Sequence, residues 1–200
     1  MGRTFNKIYT KRRSTFNFDL TKDFDMDSFQ NVIEVFSSNM PSKQHVFPYE
    51  IHILDWSDRE LRKDILYETM PRHRKDKKFE FNTQVLAPVL VCFTHRIDPG
   101  PYIAPVEIGM ALMSLTFLLQ NNGFLTSFCQ CIEKPEYLAK RITGEDDKTL
   151  RVMLPVGQHT YPAGTSRIPN PFSPEKLIYC KTNPTHLDTP NVKYHIDKRK

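Results

Sequence analysis

Residues 103–122, IAPVEIGMALMSLTFLLQNN, form an apolar run closed by Gly123, and no other stretch of the chain constrains its fold as tightly. Gly123 stands where a helix C′ glycine belongs, because glycine takes a left-handed conformation there without steric cost. The pattern predicts a long helix, apolar almost all round. A membrane span needs about 20 apolar residues in succession. Glu107, Ser114, Thr116 and the polar exit Gln120-Asn121-Asn122 interrupt that length. The run therefore reads as a helix buried on every side within protein. A chain of 200 residues rarely surrounds such a helix alone, so a second subunit is the natural cover for one of its faces.

That length suits one α/β domain and is short for two. Hydrophobic residues make up 39% of the chain, which rules out wholesale disorder. A formal charge of +5 and a pI of about 9.0 suit an anionic ligand. The basic residues are dispersed apart from two clusters, Arg72 to Lys78 and Lys198 to Lys200, and no nucleic-acid recognition motif accompanies them. Cys92, Cys129, Cys131 and Cys180 make neither a CxxC pair nor a zinc spacing. On an extended strand Cys129 and Cys131 would sit roughly 6.5–7 Å apart at Cα, the outer edge of disulfide geometry, so they read as reduced core thiols. Residues 1–20 are basic without an apolar core, so the expectation is a cytoplasmic protein with no secretory signal.

Phe29, Val32, Ile33 and Phe36 predict a helix to about Ser38, capped by Asp27. Tyr49, Ile51 and Ile53 alternate with Glu50 and His52 as in a strand. A capping box of Ser57 and Glu60 opens a helix to about Met70, and the charged residues 71–80 read as an exposed connection. Pro88 to Phe93 is a continuous apolar run, as in a strand covered on both faces, followed by a turn at 98–101. Further strands are expected at Thr126–Ile132, Leu150–Val156 and Lys176–Thr182, and a short helix at Pro135–Ile142. Glu107 reads as a favourable charge near a helix start. Six prolines between Pro162 and Pro190 exclude a compact helical ending and predict an extended arm. Strands separated by helices give an α/β architecture.

No GxGxxG, Walker A loop, GxSxG elbow or HExxH occurs, and the seven histidines lack metal-ligand spacing. The N-terminal Arg12-Arg13-Ser14 cluster is different. Two guanidinium forks beside a small hydroxyl make a compact phosphate-binding group, although a short basic run is also a common solvated surface. Downstream come Pro41-Ser42-Lys43-Gln44-His45-Val46-Phe47-Pro48-Tyr49, then Phe81-Asn82-Thr83-Gln84, then Val106-Glu107-Ile108-Gly109 with the apolar helix. Val152 to Gly157 and Ser166-Arg167 complete the order.

As a collinear set over roughly residues 5–170, these fragments resemble the nitroreductase family of FMN-dependent oxidoreductases. The resemblance implies an α+β sandwich, with a central, mostly antiparallel sheet flanked by helices, in an intertwined homodimer. An FMN-binding domain would span 1–170, and an extended C-terminal arm, 171–200, would pack on its own or the partner subunit. It implies hydride transfer from NAD(P)H through flavin N5 to a nitroaromatic, quinone or similar small acceptor, with neither metal nor catalytic side chain. Arg12 and Ser14 match an Arg-x-Ser that holds the FMN phosphate, with Arg13 between them, and Arg167 closes on the same phosphate. Pro41, Ser42, Lys43 and His45 lie in the loop laid beside the flavin by the partner. Asn82 matches an asparagine at the pyrimidine edge. Gln130 and Cys131 match a backbone N–H against N5 and a small residue over the ring. Phe16, His45, Phe47 and Cys131 depart from the family pattern, which puts substrate choice and turnover in question.

Flavin supplies the hydride chemistry, which accounts for the missing catalytic constellation. Lys43 is a candidate cation near N1/O2 or an exposed loop lysine, and His45 is a ring partner or a loop histidine. Three functions follow: an FMN-dependent reductase, a flavin-binding protein with little turnover, or a basic nucleic-acid-associated protein using 72–78 and the tail.

Overall fold

The computed structural model describes residues 14–40, 42, 46–69, 82–97, 103–161 and 192–195. The expected connection at 71–80, turn at 98–101 and strand at 176–182 lie outside them. Four helices and five strands are built: α1 (Met26–Ser37), β1 (Tyr49–Leu54), α2 (Arg59–Glu68), β2 (Val89–Arg96), α3 (Ile103–Asn121), β3 (Leu125–Thr126), α4 (Pro135–Thr143), β4 (Lys148–Gly157) and β5 (Val192–His195). A 3-10 turn covers Thr83–Val85. The sheet order is β3-β4-β2-β1-β5. The first four strands are antiparallel, and β5 joins the β1 edge in parallel.

The architecture is thus a mostly antiparallel sheet with helices on both faces. On one face Ile51, Ile53, Val91, Phe93 and Leu154 pack with α1 and α3. On the other, Leu54, Leu90, Cys92, Leu150 and Met153 pack with α2 and α4. Leu150 and Met153 share a face, three residues apart, because the β2–β4 ladder shifts register between Phe93 and Thr94. Tyr49 is buried in the first core, as its alternation with Ile51 and Ile53 predicts.

Several boundaries move for local reasons. Asp25, not Asp27, caps α1 by accepting from Ser28 N–H at 2.9 Å. Asp58 caps α2 through Leu61 N–H at 2.9 Å, displacing the expected Ser57–Glu60 box. The strand expected at 126–132 shrinks to Leu125–Thr126 with one isolated bridge, Cys129 to Met153. Gly123 does take the left-handed conformation, with φ of 84°. Glu107 lies beyond the first turn of α3 and is buried close to Tyr49, whose pKa is raised by burial and then by that carboxylate.

The expectation that α3 is buried on every side does not hold within one subunit. Ala104, Ile108, Ala111, Leu115 and Leu119 face the core, while Val106 and Met110 are 62% and 53% exposed. Met113 and Phe117 continue that outer stripe half-buried. Among the described residues, no helix is long and apolar enough to cross a membrane.

Sandwiching the sheet also buries polar groups that alternation alone would place in water. His52 is fully buried, with Nε2 3.0 Å from Thr94 Oγ1 and 3.4 Å from Glu50 Oε2. Glu50 also accepts from Lys148 Nζ at 2.7 Å and Lys193 Nζ at 3.1 Å, which ties β4 and β5 to β1. The His52 hydrogen bond, foremost, and the two lysines hold the Glu50 carboxyl well below the usual range despite partial burial. Burial keeps His52 itself below its ordinary pKa.

Candidate cofactor site

The open end of the sheet, at β3 and the exit of β4, gathers three separate segments. Ser14 bridges Thr126 in parallel, and Thr15 N–H donates to Thr126 O at 2.9 Å. Asn17 then turns the chain through φ of 62°, which asparagine tolerates better than most residues. Phe18 enters the core, Asp19 N–H bonds His159 O at 2.9 Å, and Tyr161 N–H bonds Asn17 O at 3.0 Å. Residues 14–19 are therefore held between β3 and the chain leaving β4. Gly157 permits this, because a Cβ there would lie 2.5 Å from Phe18 Cδ1.

The second segment begins at Asn82, which caps its 3-10 turn by accepting from Gln84 N–H at 3.2 Å. Asn82 Nδ2 donates to Thr69 O at 3.3 Å and to Cys129 Sγ at 3.5 Å. Gln84 Nε2 bonds Ser127 Oγ at 2.7 Å and also Phe128 O. The third segment, 127–131, is pinned to β4 by Ser127 N–H to Pro155 O at 3.1 Å and by a reciprocal Cys129–Met153 pair at 2.9 and 3.0 Å. It then leaves the sheet. Gln130 and Cys131 are exposed, and Ile132 N–H folds back to Gln130 O at 2.8 Å. Among the described residues the Gln130 N–H meets no acceptor.

Ser14 and Asn82 thus flank the stretch that leads to Gln130 and Cys131. Ser42 is placed elsewhere: its Oγ accepts from Phe47 N–H at 2.7 Å and closes the loop between α1 and β1. Phe47, at φ of 45°, packs against the core beneath α1 and α3. Arg12, Arg13, Pro41, Lys43, His45 and Arg167 lie outside the described residues. Cys129 is a core thiol as expected, but Cys131 is exposed and corrects that reading. No cluster of metal-ligating side chains occurs among the described residues.

Two residues without an assigned role in the sequence matter here. Gln84 clamps the 127–128 backbone, and its only sequence signal is its place two residues after a capping asparagine. Arg62 sits 2% exposed beneath the 3-10 turn. Its Nη2 donates to Val85 O at 3.1 Å and Ala87 O at 2.6 Å, and its guanidinium stacks 4.3 Å from the Trp56 ring centroid. Burial pushes its pKa down to about 9.

No family model and no curated protein matches the sequence. Solved structures do match the fold. A nitroreductase family protein from Clostridium novyi NT is 16% identical, with a TM-score of 0.62 over 82% of this chain and 88% of its own. The FMN-dependent nitroreductase of Mycobacterium smegmatis, solved in complex with NADPH, is 11% identical, with a TM-score of 0.64 over 79% and 88%. A Bacteroides fragilis nitroreductase with bound FMN is 16% identical, with a TM-score of 0.61 over 82% and 97%. At such identities the likeness is one of fold, and this chain has the fold of nitroreductase family proteins.

Proposed function

We propose that this chain is an FMN-dependent oxidoreductase that passes hydride from NAD(P)H through flavin N5 to a small acceptor such as a nitroaromatic or quinone. The observation that carries the reading is the convergence of residues 14–15, 82–84 and 127–131 at one end of the sheet. The donor set fits FMN. Ser14 is an exposed hydroxyl two residues after Arg12 in sequence, and Gln130 offers a backbone N–H on an exposed segment. Arg12, Ser14 and Arg167 would hold the phosphate, Arg13 adding little, and Gln130 N–H would meet N5. Pro41, Ser42, Lys43 and His45 would come from the partner's loop. When bound, FMN supplies the two-electron chemistry, so the protein binds, orients and excludes water. Gln84 and Asn82 keep the 127–129 backbone fixed, which sets where the Gln130 donor stands.

The outer stripe of α3 supports a homodimer. Val106, Met110, Met113 and Phe117 follow an i, i+4, i+7, i+11 spacing and form one apolar ridge. Sedimentation should give a dimer for the wild type and a monomer for Met110→Glu. A monomeric wild type would refute the pairing.

A second reading, flavin binding with little turnover, also has support. Phe47 packs against the core and has no side-chain donor, and the Asn82 amide is engaged by protein groups, which leaves few donors for the ring edge. Reductase activity predicts that FMN-loaded protein bleaches when NADH or NADPH is added without oxygen. A yellow protein that stays oxidised with both would select the second reading.

A further inference from the structure

We propose that Arg151 recognises a carboxylate on the small acceptor, so that the site takes acidic aromatic compounds in preference to neutral ones. This assignment rests on the flavin reading and names the acceptor class of that same site. β2 pairs Phe93 with Val152 but Thr94 with Leu150, so Arg151 is the extra residue of a β-bulge. A bulge leaves its extra residue outside the ladder and re-aims the side chain. Arg151 is exposed, whereas Leu150 and Val152 on either side of it are buried.

The surroundings of that bulge are fixed from both ends. Towards one end, Cys129 and Met153 exchange backbone bonds at 2.9 and 3.0 Å. Towards the other, Thr149 Oγ1 donates to Glu136 Oε1 at 3.4 Å. Residues 130–135 run between these two anchors and so pass the stretch of β4 that carries Arg151. Ser127 N–H to Pro155 O and the Cys129–Met153 pair share one register, and continuing it would set Cys131 opposite Arg151. The chain instead turns away. Glu133 N–H bonds Glu68 O at 3.0 Å, and Lys134 Nζ bonds Glu68 Oε1 at 2.8 Å, which draws this stretch towards the end of α2. The bulge thus presents a guanidinium beside the departing residues Gln130 and Cys131, both exposed.

Its charge is available. The basic side chains around it each have a carboxylate: Lys134 has Glu68, Lys140 has Asp146, Arg141 has Asp64, and Lys148 has Glu50 and Glu145. Arg151 makes no ion pair among the described residues, and Glu136 accepts from Thr149 instead. A guanidinium is a planar fork of N–H donors that matches a carboxylate with two parallel bonds. The segment beside it is the one that would meet flavin N5, where an acceptor stacks. The adenosine phosphate of NADPH stands far from its nicotinamide, so a carboxylate on a small acceptor is the better match at this position.

The test needs no turnover. Oxidised, FMN-loaded protein is titrated with para-nitrobenzoate and with its neutral counterpart para-nitrobenzyl alcohol, and binding is read from the perturbed flavin absorption. Wild type should favour the carboxylate. Arg151→Ala should reduce that preference by about tenfold to a hundredfold, the worth of a charged hydrogen bond, and Arg151→Lys should keep part of it. Arg141→Ala, which removes an equal charge from a paired position, should keep the preference whole. A wild type that binds both compounds alike, or a preference unchanged in Arg151→Ala, overturns the proposal and leaves Arg151 as a solvated charge on a strand edge. Equal losses in the Arg141 and Arg151 variants overturn it too, since overall charge would then be the cause. A change confined to the choice of NADPH over NADH assigns the guanidinium to the donor's phosphate and overturns the acceptor class. A protein that takes up no FMN refutes the flavin reading and this assignment with it, whereas FMN-loaded protein blind to the carboxylate refutes this assignment alone.

Discussion

Replacing Arg62 with alanine should cost about 3–5 kcal/mol of stability, a large share of the roughly 5–15 kcal/mol available to a domain. The side chain lies in the second core, under the 3-10 turn, with Val85 O and Ala87 O both on Nη2. Truncation leaves two carbonyls without that donor, at about 1–3 kcal/mol each, and a void against Trp56. Trp56 Nε1 also donates to Ala87 O at 2.9 Å, so one carbonyl keeps a partner and the upper end of the sum is not reached. Arg62→Met separates the contributions. It restores most of the volume and removes a costly buried charge, so it should lose less than alanine, about 1–3 kcal/mol. Denaturant unfolding measures both. A loss below about 1 kcal/mol for alanine would mean that the guanidinium is not the tie between α2 and the 3-10 turn.

Gly157→Ala should cost about 1–3 kcal/mol, the range for overpacking a close-packed core. The added Cβ would stand 2.5 Å from Phe18 Cδ1 and 3.1 Å from Pro88 Cδ. Phe18 is fully buried, so relief requires the 14–19 segment to move. That segment carries Ser14, and the substitution should therefore weaken FMN retention as well as stability. In a Phe18→Ala background, already destabilised by the missing ring, the same glycine change should cost close to nothing. Additive losses would show that the two positions do not meet.

The glycine and arginine positions show what a one-dimensional pattern can and cannot carry. Periodicity was enough for α1, α3 and α4, because each buries a continuous apolar stripe. The apolar run at 88–93 and the alternation at 49–53 likewise mark β2 and β1. Arg62 lies beside Leu61 and four residues from Leu66, where a helical pattern places it at the edge of the apolar face. Only the carbonyls brought in by residues 85–87, more than 20 positions away, make its burial favourable. His52 reads as outward-facing because alternation normally marks one wet face. A second helical layer and Thr94 on the adjacent strand reverse that. β5 has no local signal of its own, since its pairing with β1 is made across about 140 residues.

The site is legible to a different degree. The segments of Ser14 and Asn82 were marked in the sequence by short motifs, that of Gln130–Cys131 only by the family resemblance, and the fold brings the three together. Their common element, the 127–129 backbone, was misread as a strand because Phe128, Cys129 and Ile132 suit one. Gln84 and Asn82 pin it from the side, and only isolated bonds to Pro155 and Met153 of β4 remain where a ladder is expected. The Ser42 loop is not joined to this cluster by any contact among the described residues.

The most direct measurement is a titration of flavin-free protein with FMN, followed by fluorescence quenching, for wild type, Arg12→Ala and Arg13→Ala. A charged hydrogen bond to phosphate contributes about 1.5–3 kcal/mol, so Arg12→Ala should weaken binding by about tenfold to a hundredfold. Wild type should saturate at one FMN per chain, and Arg13→Ala should stay close to it. A wild type that takes up no FMN, or equal losses in the two variants, would contradict the account.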